Sequence, residues 1–67
     1  MYNTFTPPFH LQHYTNDYKI STVKLSYYNE IYETMVFDSD FKCVDMLRTN
    51  DYIQAVQNHY NLYNYYM

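Results

Sequence analysis

The sequence predicts an α+β domain: a three-stranded antiparallel β-sheet packed by one C-terminal α-helix (order βββα), behind an extended N-terminal arm. Three observations carry that prediction. Between Ile20 and Phe37, β-branched and aromatic residues form two short runs separated by the polar pair Asn29-Glu30. A third run, Phe41 to Arg48, follows the turn formers Asp38-Ser39-Asp40. From Asp51 to Tyr66, apolar residues recur at spacings of three and four, the mark of an amphipathic helix. The division is residues 1–18 as the arm and 19–67 as a single domain.

The arm, MYNTFTPPFHLQHYTNDY, has no period. Pro7-Pro8 bias their neighbourhood toward extended geometry. Phe5, Phe9 and Leu11 are apolar for a solvated tail, so both an arm that packs on something and a frayed terminus stay open.

The first strand runs from about Ile20 to Tyr28. Val23, Leu25 and Tyr27 alternate with Thr22, Lys24 and Ser26, which places Val23 and Leu25 toward the core and Lys24 toward water. Asn29-Glu30 makes the turn. The second strand, Ile31 to Phe37, presents Tyr32, Thr34 and Val36 on one face and Ile31, Glu33, Met35 and Phe37 on the other. Both faces are largely apolar, as in a central strand or one covered on two sides. In the loop Asp38-Ser39-Asp40 an Asp is expected at any left-handed position, because the chain has no glycine. In the third strand, Phe41 to Arg48, Asp45 is unfavourable and marks a candidate bulge.

Thr49-Asn50-Asp51 reads as a helix start, with Thr49 or Asn50 accepting from free backbone N–H groups and Asp51 suiting the positive end of the dipole. Tyr52, Ile53, Val56, His59, Tyr60 and Tyr63 are expected on the core side, with Gln54, Gln57, Asn58, Asn61 and Asn64 opposite.

Composition narrows function by exclusion. The absence of glycine rules out phosphate cradles built on glycine-rich loops. The net charge is −3 and the four basic residues are scattered, so no basic stripe predicts direct nucleic-acid binding. No apolar run reaches the roughly 20 residues of a membrane span, and the N-terminus lacks a basic region followed by an apolar core. The expectation is a cytosolic protein with Cys43 as a reduced thiol. One cysteine and three histidines offer no internal disulfide and no standard zinc spacing, so neither a metal nor a cofactor is expected. At this length a single core is marginal, and self-association as a homodimer is the expected remedy.

Few residues could carry chemistry. Glu33 and His59 could pair as carboxylate and imidazole for general base work; the structural alternative is a core His59 hydrogen-bonded to Glu33, with Val56 packing beside it. His10 and His13 have an HxxH spacing, but two ligands are too few for a structural zinc. Cys43 reads as an inert core or interface thiol.

Eleven tyrosines without a tryptophan fit both AT-rich coding and a contact surface, since tyrosine offers large area at low entropic cost. Tyr27, Tyr28 and Glu30 near the first turn, Tyr65 and Tyr66 on the helix, and Phe5 and Phe9 in the arm form a candidate partner-binding patch.

"ISTV" at Ile20–Val23, "YETMVF" at Tyr32–Phe37 and "QAVQNH" ending at His59 resemble a widespread family of short phage proteins. These carry an S-T-V strand, a [YF]-E-T-M-[VI]-F strand and a helix with E-A-x-x-x-H. The match spans about Ile20 to His59, and "YETMVF" is its specific part. Family helices end in Lys and Glu, whereas this one ends in Asn and Tyr. The resemblance implies a phage-encoded, non-enzymatic accessory protein in the host cell cytoplasm. Such a protein would bind and inhibit a host protein, for example a defence effector such as a CRISPR nuclease, by occupying a surface. The alternative it implies is a non-enzymatic regulator or subunit in phage replication or transcription.

Overall fold

The structure is a computed structural model that describes residues 10–26 and 31–67. It is an α+β domain with an antiparallel sheet of four strands and one C-terminal helix: β1 (His10–Tyr14), β2 (Lys19–Ser26), β3 (Ile31–Phe37), β4 (Cys43–Thr49) and α1 (Tyr52–Tyr66). The strands lie side by side in chain order.

The fourth strand corrects the three-stranded expectation. It comes from the segment read as an arm, whose His10–Tyr14 pairs antiparallel with β2. Thr15 closes the connection: its hydroxyl oxygen accepts from the Asp17 and Tyr18 amides, and its own amide donates to the Tyr18 carbonyl. An Asx- or ST-type turn of this kind needs no glycine. The expected Asn29-Glu30 turn, with Tyr27, Tyr28, Phe5 and Phe9, lies outside the described residues.

β3 has the bounds its sequence predicts and sits between β2 and β4, which explains apolar residues on both of its faces. β4 begins at Cys43, not Phe41. The Asp38-Ser39-Asp40 loop is tied by the Asp38 carboxylate, whose Oδ1 accepts from the Asp40 and Lys42 amides. The left-handed residue expected to be an Asp is Phe41, at φ 62°. Asp45 does mark an irregularity: Val36 pairs with Asp45 but Phe37 with Cys43, leaving Val44 without a partner on β3.

α1 starts where the sequence places it. Asp51 itself is the cap, accepting from the Gln54 amide at 2.7 Å, while Thr49 Oγ1 accepts from the Asp51 amide.

Two facial assignments are corrected. On β2, Ile20 and Thr22 are fully buried under the helix, and Leu25 is exposed. On α1, Ala55, His59 and Leu62 are buried, whereas Tyr52 and Ile53 are exposed, Ile53 by 64%. The helix is therefore turned by roughly 90° about its axis from the expected face, close to the 100° step of one residue. The small Ala55 lets the backbone approach the sheet, and His59 reaches a hydroxyl on β2. The apolar core is correspondingly small. Ile20, Val36 and Leu62 form its centre, with Tyr18, Tyr63 and Tyr66 packed at its margin.

Candidate protein-interaction site

Under the helix runs a line of polar side chains. Thr22 and Thr34 face each other across β2 and β3, in register, with their hydroxyl oxygens 2.6 Å apart. Thr22 Oγ1 also lies 2.7 Å from His59 Nδ1. His59 Nε2 then meets His13 Nδ1 at 2.8 Å, which joins β1 to the helix. Among the described residues no buried side-chain polar atom lacks a partner, so the line is satisfied throughout. Burial holds the His59 imidazole down to a pKa of about 4, helped by the neighbouring His13 and His10. His59 is thus a neutral core histidine, as one of the two sequence readings has it, but its partner is not Glu33.

Glu33 points to the opposite face of the sheet, where its carboxylate accepts from Arg48 Nε at 2.8 Å. The sheet separates the two groups that acid–base work would need together. The same alternation splits the HxxH pair: His13 faces the helix, and His10 faces the open side, with Nε2 3.2 Å from Ser21 Oγ. Among the described residues no group of three or more His, Cys, Asp or Glu is placed to hold a metal.

The candidate contact residues divide. Tyr65 is exposed. Tyr66 is half-buried: its ring packs on Tyr18 at 4.7 Å and its hydroxyl donates to Asp45 at 2.9 Å. That hydrogen bond, with burial and the carboxylate charge, raises its pKa above the usual tyrosine value. Tyr66 therefore supports the core margin. Val56 is half-buried. Cys43 is exposed at the start of β4, not in the core.

Two features project outward. One is the sheet face away from α1, where Val23, Met35, Phe37 and Met46 lie around the Glu33–Arg48 pair. The other is the end of the sheet formed by the β1–β2 and β3–β4 connections. There the Phe41 ring is 78% exposed, and it borders a shallow hollow of about 180 Å3 lined also by Tyr14, Tyr18, Lys19, Asp17 and Asp38. The Lys19 ammonium stands 5.9 Å from the centre of the Tyr14 ring, a cation–π distance.

Sequence reasoning gave no site role to Thr22, Thr34 and Phe41, and weighed His13 only as a metal ligand. The threonines alternate with Ile20 and Val36 at the strand period, a signal that they share the buried face. Nothing in the sequence distinguishes Phe41 from a strand residue.

Among the described residues no helix is long and apolar enough to cross a membrane. No family model, curated protein or solved structure matches the chain.

Proposed function

We propose that the chain is a non-catalytic binding protein that occupies a surface of another protein through the Phe41 end of its sheet. Following its resemblance to short phage proteins, the partner is a host protein met in the host cytoplasm, such as a defence nuclease, which the contact inhibits.

The observation that carries this reading is Phe41 itself. A bulky side chain at φ 62° costs about 1–2 kcal/mol of backbone strain, and asparagine would make the turn with less. The ring, 78% exposed, returns little of that strain through burial. A residue that weakens the free protein twice over is accounted for if its ring is buried in a complex. Tyr14 and Tyr18 beside it enlarge the apolar area. The Asp17 and Asp38 carboxylates at the rim suit a partner with basic residues around an apolar socket, the arrangement of an anchor with a polar border.

The test is capture from lysate of a bacterial host by immobilised protein, with mass-spectrometric identification, comparing the wild type with Phe41→Asn. The expected result is a specific host protein bound by the wild type and lost in Phe41→Asn, whose circular dichroism is unchanged. Equal capture by both forms refutes the Phe41 end as the binding site.

A further inference from the structure

We infer that the hollow beside Phe41 is the seat of an arginine side chain of the partner protein. The inference rests on the reading of the Phe41 end as a binding surface and names what enters it.

Size and lining come first. The hollow holds about 180 Å3, less than the roughly 300–1,000 Å3 of a small-molecule pocket, so it suits one long side chain. Its lining includes three rings, those of Tyr14, Tyr18 and Phe41. Tyr14 and Phe41 are 63% and 78% exposed, while the Tyr18 ring is fixed by packing on Tyr66 at 4.7 Å. Aromatic faces attract cations as well as apolar groups. The Lys19 ammonium, 5.9 Å from the centre of the Tyr14 ring, shows that attraction acting within the chain itself.

Charge comes second. Two acids, Asp17 and Asp38, and one base, Lys19, line the hollow, which leaves it one negative charge in excess. Among the described residues neither carboxylate is in an ion pair. Asp38 accepts from the Asp40 and Lys42 amides through Oδ1 alone. Those two bonds fix the carboxylate in the loop, and its Oδ2 has no partner among the described residues. Asp17 is placed by its amide, which donates to the Thr15 hydroxyl; its carboxylate makes no hydrogen bond among the described residues.

Rings and carboxylates together select arginine over lysine. A planar guanidinium can lie flat on a ring while its edge donates to a carboxylate, which a compact, strongly hydrated ammonium does not. One guanidinium also brings the charge of the lining to zero. Its alkyl stem lies along the Phe41 ring and covers surface that the free protein leaves in water.

The experiment titrates N-acetyl-arginine amide at low salt into isotope-labelled protein and follows the backbone amide chemical shifts. N-acetyl-citrulline amide, of nearly the same shape without the charge, is the control. The arginine derivative should give saturable shifts at Tyr14, Asp17, Asp38 and Phe41 with a dissociation constant in the millimolar range, and the citrulline derivative none. The double variant Asp17→Asn, Asp38→Asn keeps a side-chain carbonyl oxygen for the two loop amides. Its circular dichroism should stay that of the wild type while its affinity for the arginine derivative falls roughly tenfold or more. Lys19→Gln, which removes the competing cation, should raise that affinity severalfold. If the double variant fails to fold, the arginine and citrulline titrations of the wild type decide alone. Absent shifts overturn the inference, as do shifts that citrulline reproduces or that the folded double variant keeps. A negative titration beside a captured protein that Phe41→Asn loses overturns the arginine seat and leaves the binding reading standing. A positive titration beside equal capture by both forms keeps the seat and refutes Phe41 as the anchor.

Discussion

His59 Nε2 lies 2.8 Å from His13 Nδ1, and this contact fastens the first strand to the helix. Two imidazoles so placed share one hydrogen between the facing nitrogens. If both carried it, two N–H groups would point at each other.

The stability of the domain should depend on pH through His59. Its folded pKa, about 4, is below its usual 6.5, so the unfolded chain binds the extra proton more readily. The stabilisation from neutral His59 is complete above about pH 6.5, falls as pH drops toward 4 and levels off below, a loss of roughly 3 kcal/mol. Chemical denaturation at a series of pH values should show this slope in the wild type and a flatter one in His59→Gln. Equal slopes would mean that another group sets the acid sensitivity.

Removing the imidazole altogether should cost about 2–4 kcal/mol in His59→Ala, because two hydrogen bonds are lost and a cavity opens beneath the helix. The midpoint of thermal unfolding reads the effect, and an unchanged midpoint would contradict the buried placement of His59.

The orientation of the helix can be checked with a pair of substitutions. Leu62, 9% exposed, should cost about 2–3 kcal/mol when replaced by alanine. Ile53→Asn, on the outer side, should stay within about 0.5 kcal/mol. If the two costs were reversed in denaturant titrations, the helix would lie on the face first expected from its sequence.

Phe41→Asn should leave the fold intact and stabilise it by up to about 1 kcal/mol, since asparagine accepts the left-handed conformation more readily. A marked destabilisation would show that the Phe41 ring contributes to the core, and the case for an exposed anchor would fail.

The cap is a local feature and should behave as one. Asp51→Ala removes the acceptor for the Gln54 amide and should cost about 1 kcal/mol. A larger loss would imply that Asp51 also holds a contact beyond the helix start.

Much of the architecture was legible in the chain. The bounds of β3, the bulge beside Asp45 and the helix from Tyr52 to Tyr66 follow from residue type and spacing over a few neighbours. Two kinds of reading went astray. HLQHY in β1 has little strand signal of its own; it becomes a strand because the free edge of β2 offers it hydrogen bonds. The facial errors share a cause. On β2 both faces mix apolar and polar residues, so hydrophobicity alone favours Val23 and Leu25. The helix instead covers Ile20 and Thr22, where the Thr22 hydroxyl meets the His59 imidazole.

By itself, then, the sequence determined that the segments of β2, β3 and β4 are strands and that of α1 a helix, but not that His10–Tyr14 is a strand, because periodicity and capping act between residues close together in the chain. Only the tertiary structure decided which sides of those segments meet, that His59 bonds to Thr22 and His13 while Glu33 bonds to Arg48, and that Phe41 is left outside. Those outcomes depend on groups as far apart as His13 and His59, whose satisfaction of each other's hydrogen-bonding atoms no local pattern encodes.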